Sequence, residues 1–193
     1  VAGLVGCGKS TPPTSTRTAA APAPAAPPPQ QMSEVSLVGY QPDGAKRWEL
    51  EGRGATVDGS IVTIRHPNGI GHDLVRQAYL TASAAQVNQI NRHVRLEHDV
   101  TIHTSDGLWF TTPVLHWIPD ENRMATDQPV RIETDHMLVR GRGAQGLTQL
   151  KHATILEDIE MVLNPTENDP PGGRQQVIIT CDGPLSFDYE RNV

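Results

Sequence analysis

From Val94 to Phe110, apolar and polar residues alternate over seventeen residues. Val94, Leu96, Val100, Ile102, Leu108 and Phe110 share one parity, and Arg95, Glu97, Asp99, Thr101, His103 and Ser105 share the other. A period of two is that of a pleated strand, so the stretch reads as a strand or hairpin with one dry face and one wet face. Further along, Val100-x-Ile102-x-Thr104 returns as Val130-x-Ile132-x-Thr134. The echo points to a stack of similar β units rather than one isolated hairpin.

Turn chemistry punctuates the rest of the chain. Asp58-Gly59, Asn68-Gly69, Asp106-Gly107 and Asp182-Gly183 tolerate positive φ and are expected to close hairpins. Pro119 to Asn122 and Pro165 to Gly173 read as longer polar connections. The runs between them predict about fifteen short strands at the spacing of a sandwich, jelly roll or open antiparallel stack. Abundant Val, Ile and Thr suits strands. The best helical candidate, Ala82 to Arg92, has strand-like neighbours. Ile155-x-Glu157-x-Ile159-x-Met161-x-Leu163 keeps one parity apolar apart from its glutamate, which makes another strand, with Asp158 and Glu160 on the opposite face toward solvent.

The front of the chain differs. Leu4-Val5-Gly6-Cys7 resembles a bacterial lipobox, in which the cysteine becomes the acylated first residue of a lipoprotein. Residues 1–7 are therefore expected to be the tail of a lipoprotein signal peptide, and the chain to begin inside a precursor. Residues 8–32, dense in Pro, Ala and Thr, are expected to form a disordered, partly polyproline-like tether. The folded body is placed at 33–193. Several acyl chains on Cys7 would hold it stably at a membrane. No apolar run is long enough to span a bilayer as a helix. Cys7 and Cys181 lie too far apart in sequence to suggest a structural disulfide, and Cys181, on Val177-Ile178-Ile179-Thr180-Cys181, is expected to be a small buried apolar group.

Little here points to bond chemistry. A net charge of -6 argues against nucleic acid as a partner. The eight histidines lack the close spacings that bring two ligands to one face. His66 and His72, flanking Asn68-Gly69, could face each other but make a weak metal site. Glu157/Asp158 and Glu133/Asp135 could be drawn as a glycosidase pair, yet acids on a polar strand face are usually only solvated. No nucleophile elbow, phosphate-binding loop or Cys-x-x-Cys is present in the sequence. No enzyme, cofactor or metal is expected.

The block from Gly39 to Gly52, Gly-Tyr-Gln-Pro-Asp-Gly-Ala-Lys-Arg-Trp-Glu-Leu-Glu-Gly, resembles the opening of the LptC family of lipopolysaccharide-export proteins. Val100-Thr101-Ile102, Gly107-Leu108, Pro129-Val130-Arg131-Ile132 and a Gly141-Arg142-Gly143 turn are similar to the remainder of that domain. Cys181 to Tyr189 resembles the start of an OstA-type repeat, shared with the bridge protein LptA, so further C-terminal strands are expected beyond Val193. The resemblance implies an all-β fold, a twisted antiparallel β-jelly roll of two sheets with an apolar interior trough (OstA/LptA-like). In the family that trough carries the acyl chains of lipopolysaccharide from an inner-membrane ABC transporter to an LptA-like periplasmic bridge protein. Leu96, Val100, Ile102, Phe110, Leu115, Trp117, Val130 and Ile132 would line it here, and Arg131, Arg140 and Arg142 could meet phosphates at its rim. The lipobox departs from the family's usual N-terminal transmembrane helix. It suggests a periplasmic protein of a Gram-negative cell held through Cys7, with the inner membrane favoured.

Two other readings stay open. One is a scaffolding envelope lipoprotein that joins partners through its β edges without holding lipid. The other is a jelly-roll glycan-binding or glycan-cleaving protein, for which Trp109, alone among large apolar residues on the polar parity, is the exposed aromatic.

Overall fold

The computed structural model describes residues 29–72, 77–147, 152–165 and 175–188. Cys7 and the tether as far as residue 28 lie outside the described residues. Among the described residues, fifteen strands form one antiparallel hydrogen-bonded sheet: β1 Gln30–Met32, β2 Val35–Tyr40, β3 Lys46–Gly52, β4 Gly54–Asp58, β5 Ile61–Arg65, β6 Asn68–His72, β7 Gln77–Thr81, β8 Ala84–Asn88, β9 Val94–Thr104, β10 Trp109–Ile118, β11 Arg123–Glu133, β12 Met137–Leu147, β13 His152–Leu163, β14 Val177–Cys181 and β15 Leu185–Asp188. The all-β, two-layered architecture expected from the sequence is present. β1 occupies residues that composition assigns to the tether, where it pairs with β4.

The pairing reduces this list to a simpler object. β1 with β2, β3 with β4, β5 with β6, β7 with β8, and β14 with β15 are each one pass of chain broken near its middle. β9 to β13 are passes that continue unbroken. Each pass bonds only to its neighbours in sequence, so the molecule is a ten-pass meander. All the breaks align along one crease, and the sheet folds over it into two layers. Layer 1 holds β2, β3, β6, β7 and β14, and layer 2 holds β1, β4, β5, β8 and β15. β9 shows the crossing within one strand: Val94–Glu97 pair with β8 in layer 2, and Thr101–Thr104 pair with β7 in layer 1.

The crease uses residues that tolerate leaving extended geometry. His66, His98, Asp99 and Asp158 sit at positive φ (47°, 61°, 53° and 53°), as does Gly143 at 69°. Asp and His are among the few non-glycine types enriched there. Pro67, Pro113, Pro129 and Pro184 also fall at or beside the breaks, where a missing N–H does least harm to the ladder. The bulges in β10 and β11 are stitched together by threonine. Thr126 Oγ1 donates to the Val114 carbonyl at 2.6 Å and accepts from the Gln128 N–H at 3.1 Å, while Thr112 Oγ1 also donates to Val114 at 3.3 Å. Gly141, next to the crease on β12, has no room for a side chain: an added Cβ would lie 2.5 Å from Ile155 Cγ2 and 3.0 Å from the Glu157 carbonyl oxygen.

Several expectations are corrected by this geometry. Asp58-Gly59 and Asp106-Gly107 do close hairpins, with the glycines at φ 56° and 92°. Asn68-Gly69 and Asp182-Gly183 do not. Neither glycine takes positive φ, and the chain runs on across the crease from β5 to β6 and from β14 to β15. His66 and His72 therefore sit at opposite ends of a strand and do not face each other. Gly141-Arg142-Gly143 is likewise a crease inside β12, not a turn. The candidate helix at 82–92 is strand β8, locked between β5 and β9.

Thr126→Val keeps the shape of this stitch and removes its hydroxyl. It should lower stability by about 1–3 kcal/mol in urea unfolding, the cost of stranding a buried polar group.

Candidate functional site: the apolar interior

Within each pass, alternate residues point between the layers, and the register aligns them into rows across the sheet. In layer 2, Ala55, Ile64, Ala85, Leu96, Leu115, Thr126, Ala144 and Ile155 form one such row. In layer 1, Leu50, Gly69, Leu80, Ile102, Phe110, Ile132, Val139 and Met161 form its counterpart. The apolar residues of both rows belong to a single buried cluster, which shows that the layers face one another.

All eight residues expected to line a trough lie on this inner face. Leu96, Leu115 and Trp117 come from layer 2, and Val100, Ile102, Phe110, Val130 and Ile132 from layer 1; none is more than 8 % exposed. Sequence reasoning missed an equal contribution from other passes, above all Trp48, Leu50, Ile64, Val139 and Ile155. The alternation of Trp48 and Leu50 with Arg47, Glu49 and Glu51 was the available signal.

The interior is closed in this conformation. A cavity of about 30 Å³ lies between Ile102, Phe110 and Ile132 on one side and Leu115, Met124 and Ile155 on the other. A second, of about 40 Å³, is lined by Trp48, Leu50, Leu80 and Ile102 facing Trp117 and Met124. Each is the size of a water molecule. The larger hollows, about 930 Å³ and 570 Å³, lie elsewhere: the first is lined by Glu34, Glu51, Arg53, His66 and Asn68 along the crease, the second by Gln86, His93, Arg95, His116 and Arg123 on layer 2, where it also touches Trp117.

The interior has a rim opposite the crease, where the last inward row of each layer ends. Trp48 of layer 1 and Trp117 of layer 2 meet there edge to face, with ring centroids 5.1 Å apart. Just outside, Glu49 accepts hydrogen bonds from Lys46 Nζ at 2.7 Å and His72 Nε2 at 2.9 Å. The Lys46 bond first, then the His72 bond, holds the Glu49 carboxyl below its ordinary value of 4.5. Because the folded value is lowered, this contribution to stability is complete above pH 4.5 and is lost as pH falls through the folded value. In a carboxyl NMR titration, Lys46→Met should move the Glu49 midpoint upward.

At the C-terminal edge the layers are unequal. In layer 2, Leu185 and Phe187 pack on the core. In layer 1, β14 stands clear, with Val177, Ile178 and Ile179 exposed at 49 %, 62 % and 43 %. Cys181 ends this strand as an exposed free thiol. The expected burial fails because, among the described residues, no facing strand covers β14. In the folded protein a maleimide should modify Cys181 without denaturant, as read by peptide mass mapping.

The remaining candidates face outward. Arg131 pairs with Glu133 at 2.6 Å, and Arg140 with Glu160 at 2.8 Å, both on the outside of layer 1 rather than at the rim. Glu157 and Asp158 are exposed at the crease. On the same outer face, Tyr79, His103 and Trp109 stack at centroid distances of 4.8 and 4.7 Å. Among the described residues no group of three or more His, Cys, Asp or Glu is placed to hold a metal ion. Nor is any helix among them long and apolar enough to cross a membrane.

Fold and interior together define an all-β jelly roll with an apolar core packed between its layers. The chain belongs to the family described as lipopolysaccharide-assembly, LptC-related, whose profile matches residues 2–164. That family is a non-enzymatic part of lipopolysaccharide transport in the Gram-negative envelope. The match ends before β14 and β15. No curated protein matches the chain.

Proposed function

We propose that the interior takes up the acyl chains of lipopolysaccharide, received from an inner-membrane ABC transporter and passed to an LptA-like periplasmic bridge protein, without covalent catalysis. The observation that carries this reading is the run of inward apolar rows, which crosses every pass and reaches an uncovered apolar strand at β14. Burying each acyl CH₂ stabilises the complex by ~0.8 kcal/mol, so an apolar interior of this kind would suit the cargo once its layers part. Loading requires the layers to part at the Trp48–Trp117 rim, turning about the crease. Among the described residues β14 pairs only with β13, and its other edge would offer backbone N–H and C=O groups to a partner strand, so that augmentation there would extend the same apolar rows into the next protein. Cys7, as an acylated residue, would hold this body on the periplasmic side of the inner membrane, with residues 8 onward as the tether.

A scaffolding role uses the same β14 edge but needs no opening of the interior. A photocrosslinking residue placed at Ile102 or Phe110 separates the two. It should give a lipopolysaccharide adduct in cells, while one at Thr101, pointing outward, should not. No adduct from any inward position would leave scaffolding as the better account.

A further inference from the structure

The interior contains a polar atom with no partner. Trp117 is 5 % exposed, and its indole Nε1 is buried without a hydrogen bond. The buried threonines are treated differently. Thr104 bonds to Asp106 and accepts from the Leu108 N–H, while Thr112 and Thr126 share the Val114 carbonyl. A fold that pairs these hydroxyls leaves one indole N–H stranded, at a cost to its own stability. Trp117 sits in an inward row between Val94 and Met124, where phenylalanine would keep an aromatic ring but carry no donor to satisfy.

The position of this donor is informative. An indole N–H can only donate, so what Trp117 lacks is an acceptor. Across the gap its cavity is lined by Trp48, Leu50, Leu80 and Ile102, whose side chains are apolar or donor-only, and by Glu49, whose carboxylate is already bonded to Lys46 and His72. Trp117 lies in the last inward row before the rim, whereas Leu96, Leu115 and Val100 lie nearer the crease. An acylated amphiphile seated with its tails toward the crease would bring the oxygens nearest its head group to the rim.

We infer that Trp117 Nε1–H is a hydrogen-bond donor for an oxygen on the acyl portion of the cargo: an ester or amide carbonyl, or a hydroxyl close to it. This rests on the reading of the interior as the acyl site and sharpens it. A plain hydrocarbon would fill the space yet leave the donor unpaired, so the site prefers chains carrying oxygen near the head. The bond would also fix how deep the chains seat.

The test uses ¹⁵N-indole-labelled protein and purified lipopolysaccharide, with Trp117→Phe and, as an outward-facing control, Trp109→Phe. Adding lipopolysaccharide should shift downfield the indole resonance that is absent from Trp117→Phe. Trp117→Phe should bind lipopolysaccharide about tenfold more weakly, the loss expected for one buried hydrogen bond. Its Tm should equal or exceed that of the parent, because a stranded donor has been removed; a lower Tm would mean that the ring, not the missing acceptor, explains the residue. Trp109→Phe should bind like the parent. If the parent binds and Trp117→Phe binds equally well with no indole shift, the donor role is wrong while the acyl site stands. If the parent itself does not bind lipopolysaccharide, the acyl site is wrong, and the donor role falls with it.

Discussion

The crease is the constraint on which the rest depends. Two packed β-sheets are ordinarily separate ladders held together by their side chains. Here they are two halves of one ladder, and the chain crosses from one to the other on every pass. Backbone hydrogen bonds bridge the fold line at several points, among them His66 N to Ser83 O at 2.9 Å and Ser83 N to His98 O at 3.0 Å. Alignment of the inner rows follows directly, because a shift of one residue in any pass would turn its apolar set outward on both layers at once.

The two long sides of the interior therefore differ in kind. Along the crease the layers are joined through the backbone, by residues already at positive φ and by threonine bonds that satisfy the bulges. Along the rim they are held by side chains, with an edge-to-face tryptophan pair at the margin. Such an aromatic contact is worth about 0.5–1.5 kcal/mol beyond its area, far less than breaking several ladder bonds. Any parting of the layers begins at the rim. Acyl chains entering the gap would replace one set of apolar contacts by another, so much of the exposure cost would be recovered on filling.

The alternation in Val94–Phe110 was legible because it is local: parity places Leu96, Val100, Ile102 and Phe110 on one face, and the echo adds Val130 and Ile132. Leu115 and Trp117 reach that face only because the bulge between Thr112 and Val114 shifts the parity of β10. The crease was not legible in the same way, since the residues that build it resemble hairpin formers. Asn68-Gly69, Gly141-Arg142-Gly143 and Asp182-Gly183 carry turn chemistry, yet the register sends the chain straight on. A weaker signal was present. His98 interrupts the apolar parity of β9, and Glu157 that of β13, and both mark the fold line. Cys181 was misjudged for another reason. Its apolar strand composition predicts burial, but burial depends on a facing strand that composition cannot reveal. The orphaned Trp117 donor was out of reach too, because a missing acceptor is a property of the surroundings and not of the residue.

The meander has a consequence for how the molecule is made. Since every pass pairs only with those before and after it, no contact in the ladder waits for a distant segment of chain. Strand order in space repeats strand order in sequence, which keeps loop-closure entropy low for a protein so rich in β-structure. The body can be laid down progressively from its N-terminal hairpin, each new pass finding its template already in place. At every stage the growing end has the same character: one more strand, waiting for a neighbour.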